Sequence, residues 1–438
     1  MNTNTASLRV SHALTEAKEQ YRQANPKSLA QHQRAAEVLP GGNTRTVIFT
    51  DPFPLTLVTG KDARVRSLDG HWYRDFLGEY TAGFYGHSDL RLKEAVHEAL
   101  ERGWSMGGHT EIEAEMASLI QDRFPSMELM RFANSGTEAN LYAISTARAV
   151  TGRNKVVVFE GGYHGGVFVF SGGGRHPLTA PFDFIVAPYN DVAGTAALLN
   201  DSALDIAAVI VEPMQGSGGC IPAEREFLQF LREWTNRNEA ILIFDEVMTS
   251  RLSYGGLQSV HAICPDMTTL GKYLGGGFSF GAFGGRVDIM DRFNPLRPNS
   301  ITHAGTFNNN IFTMSAGVAG MKSILTRSTI VEVSARGENL RKRLNSIASR
   351  AVFPMQFTGK GSMMNVHMTR ADVRSIRELK DNRLPLRDLF YFDMVSAGFW
   401  IAKRGMINLA VPTSEADCDA LADAVESFVA ARSNLRLD

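Results

Sequence analysis

The chain has 438 residues, of which 45 are basic and 46 acidic, giving a formal net charge of −1 at pH 7. That balance, without a long run of one sign, argues against nucleic acid or an anionic membrane as the main partner, and the length allows one large domain plus smaller packing regions. Cys220, Cys264 and Cys418 are far apart and form no C-x-x-C pair, as expected of a reduced cytoplasmic setting.

In chain order, the polar start "MNTNTASLRVSHALTEAKEQ" reads as a helical leader without the apolar core of a signal peptide. No later apolar run approaches the roughly 20 residues of a membrane helix, so a soluble protein is expected. A turn, "LPGGNTRT" (39–46), follows. The region from about residue 70 to about residue 330 then reads as a sheet. Its apolar runs "KVVVFEGG" (155–162), "DIAAVIVEP" (205–213) and "AILIFDEV" (240–247) have the continuous apolarity of strands buried on both faces. Helical patterns separate them: "SGTEANLYAISTARAVTG", closing at Gly152, and "EREFLQFLREWTNRN" (224–238). This alternation predicts an α/β doubly wound sheet. Beyond it, 328–350 reads as a long charged helix, and "MQFTGKGSMMNVHM" as strands of a smaller mixed segment.

Several chemistries lack their signatures. The sequence contains no G-x-x-x-x-G-K-[ST], G-x-G-x-x-G or H-E-x-x-H, which removes the usual grounds for phosphate-loop, dinucleotide and zinc readings.

Four segments point to one chemistry instead. "RFANSGTEAN" (131–140) sets Asn134, Ser135, Gly136 and Thr137 between a strand end and the first turn of a helix, a place suited to an anion such as phosphate. Ordinary N-capping by Ser135 or Asn134 accounts for the same residues. "GGYHGG" (161–166) offers Tyr163 for stacking on a flat ring, with a core tyrosine and a structural His164 as the alternative. Asp245 ends an apolar strand, where ligands bind in open α/β sheets and where a carboxylate needs a cation or several donors; capping the next turn would also satisfy it. Finally, "TTLGKYLGGGFSFGAFGG" (268–285) places Lys272 among seven glycines, which reads as a loop wrapped around a ligand rather than a surface turn. An amine able to form an imine, a phosphate cradle and a carboxylate for a pyridine nitrogen together describe pyridoxal 5'-phosphate (PLP).

The segments "NSGTEAN", "VEPMQG", "FDEV" and "TTLGKYLGGGFSFGAFGG" resemble those of the class III aminotransferases, PLP enzymes of fold type I. The resemblance covers nearly the whole chain. It implies an α/β fold with a large, mainly parallel-sheet domain (71–330) and a smaller α+β domain built from both termini (1–70 and 331–438). It further implies Lys272 as the Schiff-base lysine, Asp245 as partner of the pyridine nitrogen, and Ser135, Gly136 and Thr137 around the phosphate. Tyr163 would stack on the ring and Val247 touch its other face. Thr306, in "HAGTFNNN" (303–310), would reach the phosphate of the neighbouring subunit of a homodimer.

Within that family, "LPGGNTR", "EYTAGFYGHS" and "GTFNNN" are similar to the β-amino acid aminotransferases acting on β-phenylalanine, whose relatives include the glutamate-1-semialdehyde aminomutases. Arg45 and Arg404 stand where those enzymes carry arginines for substrate carboxylates, and guanidinium forks suit carboxylates. The activity implied is transfer of the amino group of a β-amino acid, such as β-phenylalanine, to 2-oxoglutarate or pyruvate through pyridoxamine phosphate. The alternatives are an aminomutase and a non-catalytic PLP-binding regulator. No metal, nucleic acid or membrane partner is expected.

Overall fold

The computed structural model describes residues 3–171, 176–380 and 383–435. The chain divides into two compact units. The first comprises Met1–Ser88, Ala335–Asp372 and Leu379–Asp438; the second comprises Asp89–Ser334 and Val373–Glu378.

The second unit is built on a seven-stranded sheet whose strands, in chain order, are β1 (Leu129–Ala133), β2 (Lys155–Phe159), β3 (Asp183–Ala187), β4 (Ile206–Val211), β5 (Ile241–Asp245), β6 (Met267–Gly271) and β7 (Gly281–Gly285). Their spatial order is β1-β7-β6-β5-β4-β2-β3. Only β7 runs antiparallel to its neighbours, β6 and β1; the other pairings are parallel. Every residue of β4, β5 and β6 is buried, as continuous apolar runs require of strands covered on both faces. Helix α1 (Gly136–Thr151) closes on Gly152 in the left-handed conformation, and its Ala139, Ala143 and Ala147 are fully buried in the core beneath it. The run 224–238 forms helix α2 (Arg225–Asn238).

Two sequence expectations change. The seven strands span 129–285, a shorter stretch than 70–330. Half of the glycine-dense segment 268–285 is also sheet: its ends lie in β6 and β7, and the residues between leave the sheet. The glycines are needed because backbone crowds them. A Cβ at Gly281 would lie 2.2 Å from the Ser135 carbonyl oxygen, and one at Gly285 2.2 Å from that of Asp266.

The first unit holds two small sheets. Leu57–Lys61, Arg64–Ser67 and Trp72–Asp75 form antiparallel pairs, joined in parallel by Phe399–Trp400. Gln356–Lys360, Met363–His367 and Met406–Asn408 form the other. This unit runs to Ser88, past residue 70, because Asp75 accepts from the amides of Leu77 and Gly78 and from His87 Nε2, while the His87 amide donates to the Asp62 carbonyl. The charged stretch 328–350 forms the helix Arg327–Ala348. Among the described residues, no helix is long and apolar enough to cross a membrane.

Candidate active site

The carboxyl ends of the central strands of the second unit gather most of the residues singled out from the sequence. Register pairs Asp245, the last residue of β5, with Thr269 of β6. Three residues beyond Thr269 comes Lys272, half-buried and held at φ +56°. A non-glycine residue in this region costs of order 1–3 kcal/mol, and such strain persists where surrounding structure enforces it.

The start of α1 meets the same place. Ser135 is its N-cap, accepting from the Glu138 amide at 3.2 Å, so the capping alternative describes its side chain. The amides of Gly136 and Thr137, in the first turn, have no intrahelical acceptor and carry the positive end of the helix dipole. A Cβ at Gly136 would lie 2.9 Å from both Val247 methyl groups. At Gly271, one would lie 3.1 Å from Val247 Cγ1 and 3.5 Å from Gly136 Cα. Gly136, Val247 and the backbone leading into Lys272 therefore share one contact point. The Thr137 hydroxyl accepts from the Gly166 amide at 3.2 Å, and a Cβ at Gly165 would lie 2.3 Å from Thr137 Oγ1. The loop carrying Tyr163 and His164 thus abuts the helix start. Tyr163 itself is 42% exposed.

Asp245 is 4% exposed and fully engaged. Its Oδ1 accepts from the Val247 amide at 3.0 Å, and its Oδ2 lies 2.8 Å from both Asn140 Nδ2 and His164 Nδ1. Asn140 went unremarked in the sequence, yet it joins the whole cluster: Nδ2 also donates to the His164 carbonyl at 3.0 Å, and Oδ1 accepts from Thr269 Oγ1 at 2.6 Å. A polar residue one turn into an alanine-lined helix was the available signal, since burying it unpartnered is costly. His164 belongs to the same cluster, its Nδ1 hydrogen-bonded to Asp245 Oδ2.

Glu212, in "VEPMQG", was also passed over. Its Oε1 accepts from the Tyr163 amide at 2.9 Å and its Oε2 from the Gly216 amide at 3.0 Å. Burial pushes its carboxyl from 4.5 up to about 7, opposed by His164 and reinforced by the charge of Asp245. The folded protein therefore keeps a proton that the unfolded chain has already released between about pH 4.5 and 7, and the unfolded state binds fewer protons there. Stability from this group is greatest at the acid end and falls as pH rises through that window. Glu212→Gln is expected to flatten this slope. Melting temperatures from pH 4.5 to 7.5 check it, and an unchanged slope would reject the assignment.

The remaining predicted residues lie elsewhere. Thr306 is exposed on a turn of the second unit; Asn308 of that turn accepts from Asn134 Nδ2 at 3.0 Å. Arg45 and Arg404 belong to the first unit, where both guanidinium groups lie over the ring of Tyr80, at 5.7 and 4.9 Å from its centroid. Arg45 also pairs with Glu79. Glu79, Tyr80 and Thr81 all have positive φ, so this stretch holds the ring in a strained backbone. Phe84 and Tyr85, in "EYTAGFYGHS", are buried in the first unit.

A family profile described as Aminotransferase class-III matches residues 49–429. The chain is 47% identical to a β-phenylalanine transaminase of Variovorax paradoxus, over 96% of each chain. A crystal structure of a β-phenylalanine aminotransferase from that organism superposes with a TM-score of 0.95 at 47% identity, covering 97% of this chain and 99% of the other. A glutamate-1-semialdehyde 2,1-aminomutase of Methanothermobacter thermautotrophicus is 36% identical, over 92% of this chain and 95% of its own.

Proposed function

The chain belongs to the class-III aminotransferases, enzymes that use PLP, and from that membership we propose that it moves the amino group of an aromatic β-amino acid to 2-oxoglutarate or pyruvate. The observation that carries the finer reading is the pair of guanidinium groups over Tyr80, in a chain whose relative at 47% identity is a β-phenylalanine transaminase. Two forks beside one ring suit two substrates whose carboxylates lie at different distances from the reacting carbon.

The residues of the second unit fit the cofactor. The first-turn amides of α1 suit its phosphate, and Gly136 leaves only the space that a hydrogen occupies against Val247. The half-exposed Tyr163 ring suits one face of the pyridine and Val247 the other. Asp245, oriented by Asn140 and His164, suits a protonated ring nitrogen. Lys272 is the amine that holds the cofactor and, once freed by the substrate, carries the proton from the substrate carbon. PLP, when bound, supplies an electrophilic carbon and a ring that accepts the electron pair of the deprotonated substrate.

Thr306 is assigned to the phosphate of a second copy in a homodimer. The exposure of Phe307, Trp104 and Met106 in the second unit, at 61%, 58% and 55%, supports an apolar contact face. A cytoplasmic setting agrees with the three free cysteines. An aminomutase is the second reading, favoured by the relative at 36% identity. A screen of α-, β- and ω-amino donors, following bound-cofactor absorbance with and without a 2-oxo acid, separates the two. Turnover of a single aminated substrate without an acceptor would establish the aminomutase.

The arginines divide the carboxylates. Arg45 takes that of the β-amino donor, displacing Glu79 from an exposed pair worth under about 1 kcal/mol. Arg404 takes the distal carboxylate of 2-oxoglutarate. Arg404→Ala is expected to weaken the 2-oxoglutarate half-reaction by about 1.5 to 3 kcal/mol and spare that of pyruvate, while Arg45→Ala impairs the β-amino acid half-reaction. Each half-reaction is read from cofactor absorbance. Equal slowing of both acceptors by Arg404→Ala would refute the division.

A further inference from the structure

Residues Val373–Glu378 leave the first unit's sequence and pack wholly within the second. Two arginine forks clip this six-residue strap in place. Arg377 Nε and Nη2 donate to the two oxygens of Glu160 at 2.6 and 2.8 Å, and Arg374 Nε and Nη2 donate to those of Glu224 at 2.6 and 2.7 Å. Asn190 Nδ2 adds a bond to the Arg374 carbonyl at 2.8 Å. Inside the strap, the buried Ser375 and the half-buried Glu378 close a local turn through the Ser375 amide and hydroxyl. Between the forks, Ile376 is seated on Gly161: a Cβ there would lie 2.5 Å from Ile376 Cγ2.

Glu160 and Gly161 begin the loop that carries Tyr163 and His164. From the other side the same loop is held by Gln215 Nε2 on the Glu160 carbonyl at 2.8 Å and by Glu212 on the Tyr163 amide. The chain from Glu160 to His164 therefore lies between two anchors, one of them supplied from more than 200 residues further along the sequence. Bidentate charge-assisted bonds fix geometry as well as adding energy, and a partly buried carboxylate keeps more of that energy than an exposed one. The Glu160 side chain is 19% exposed.

We propose that Ile376 and Arg377 are positioning residues, which hold the loop Glu160–Gly166 so that the Tyr163 ring and His164 keep their places at the carboxyl end of the sheet. This rests on the reading of Tyr163 as the ring that lies against the cofactor. Removing the fork frees the start of the loop while Glu212 still holds Tyr163 from below, so the loop loosens without unfolding.

The test uses the holoenzyme with Arg377→Ala, Arg377→Lys, Glu160→Gln, the Arg377→Ala/Glu160→Gln pair, and Tyr163→Ala. Two quantities are read: the rate of PLP release on dilution, and hydrogen exchange in peptides covering 160–166 against peptides of α2. Arg377→Ala is expected to release PLP about tenfold faster and to raise exchange in the loop alone, with Arg377→Lys between it and the unaltered protein. The double variant should be no worse than either single one, because both remove the same contact. Unchanged loop exchange in Arg377→Ala, or additive single effects, would overturn the proposal. So would raised exchange with unchanged PLP release when Tyr163→Ala does speed release. If Tyr163→Ala leaves release unchanged, the cofactor reading of Tyr163 fails, and the exchange measurement alone decides whether the strap holds the loop.

Discussion

Lys272→Ala is expected to give a folded protein with no covalently held cofactor and transamination reduced by more than about 10³-fold, or about 4 kcal/mol of barrier. The fold survives because alanine at φ +56° bears the same backbone strain that lysine already bears there. The chemistry does not survive, because the second unit has no substitute amine in place. Of its four lysines, Lys93 is exposed on the helix Leu90–Arg102. Lys155 opens β2 at the opposite end of the sheet and pairs with Asp205, and Lys322 pairs with Glu115. Borohydride reduction followed by peptide mapping should place the cofactor on Lys272 in the unaltered protein and on no residue in the variant. A label on another lysine, or turnover within tenfold of the unaltered protein, would reject the assignment.

How much of this was legible in the sequence depended on whether a residue's partner was local. Strands β2, β4 and β5 were visible because burial on both faces leaves an unbroken apolar run. The edge-side β7, "GAFGG", was not, because the residues that suit its crowded surroundings are those that mark loops elsewhere. Asp245 and Lys272 stood out as polar residues ending apolar or glycine-rich stretches. Asn140, by contrast, gains its meaning from Asp245, 105 positions away, and Arg377 from Glu160, 217 positions away. Neither spacing leaves a periodic signal. Ser135 was ambiguous for a different reason: a helix start that caps itself and one that receives an anion use the same residues, and here the side chain caps while the first-turn amides of Gly136 and Thr137 have no intrahelical acceptor.

Asp245→Asn is expected to fold and bind PLP yet lose more than about tenfold in turnover, at least about 1.4 kcal/mol of barrier. A neutral amide cannot hold a proton on the ring nitrogen, so the ring becomes a poorer electron sink. The hydrogen bonds around Asp245 make the substitution harsher than a simple loss of charge. An asparagine there has one acceptor oxygen, whereas Asp245 uses both of its own: Oδ1 for the Val247 amide, and Oδ2 for Asn140 and His164. Asn140 cannot turn its amide over to compensate without setting its Oδ1 against the His164 carbonyl, to which its Nδ2 donates. Either orientation of the new amide therefore sets a donor against a donor, at the Val247 amide or at Asn140 Nδ2, and leaving a buried donor unsatisfied costs about 1 to 3 kcal/mol. The variant should accordingly melt a few degrees lower as well as turn over more slowly, as thermal unfolding and half-reaction rates would show. Near-normal turnover in this variant would remove Asp245 from the ring nitrogen altogether.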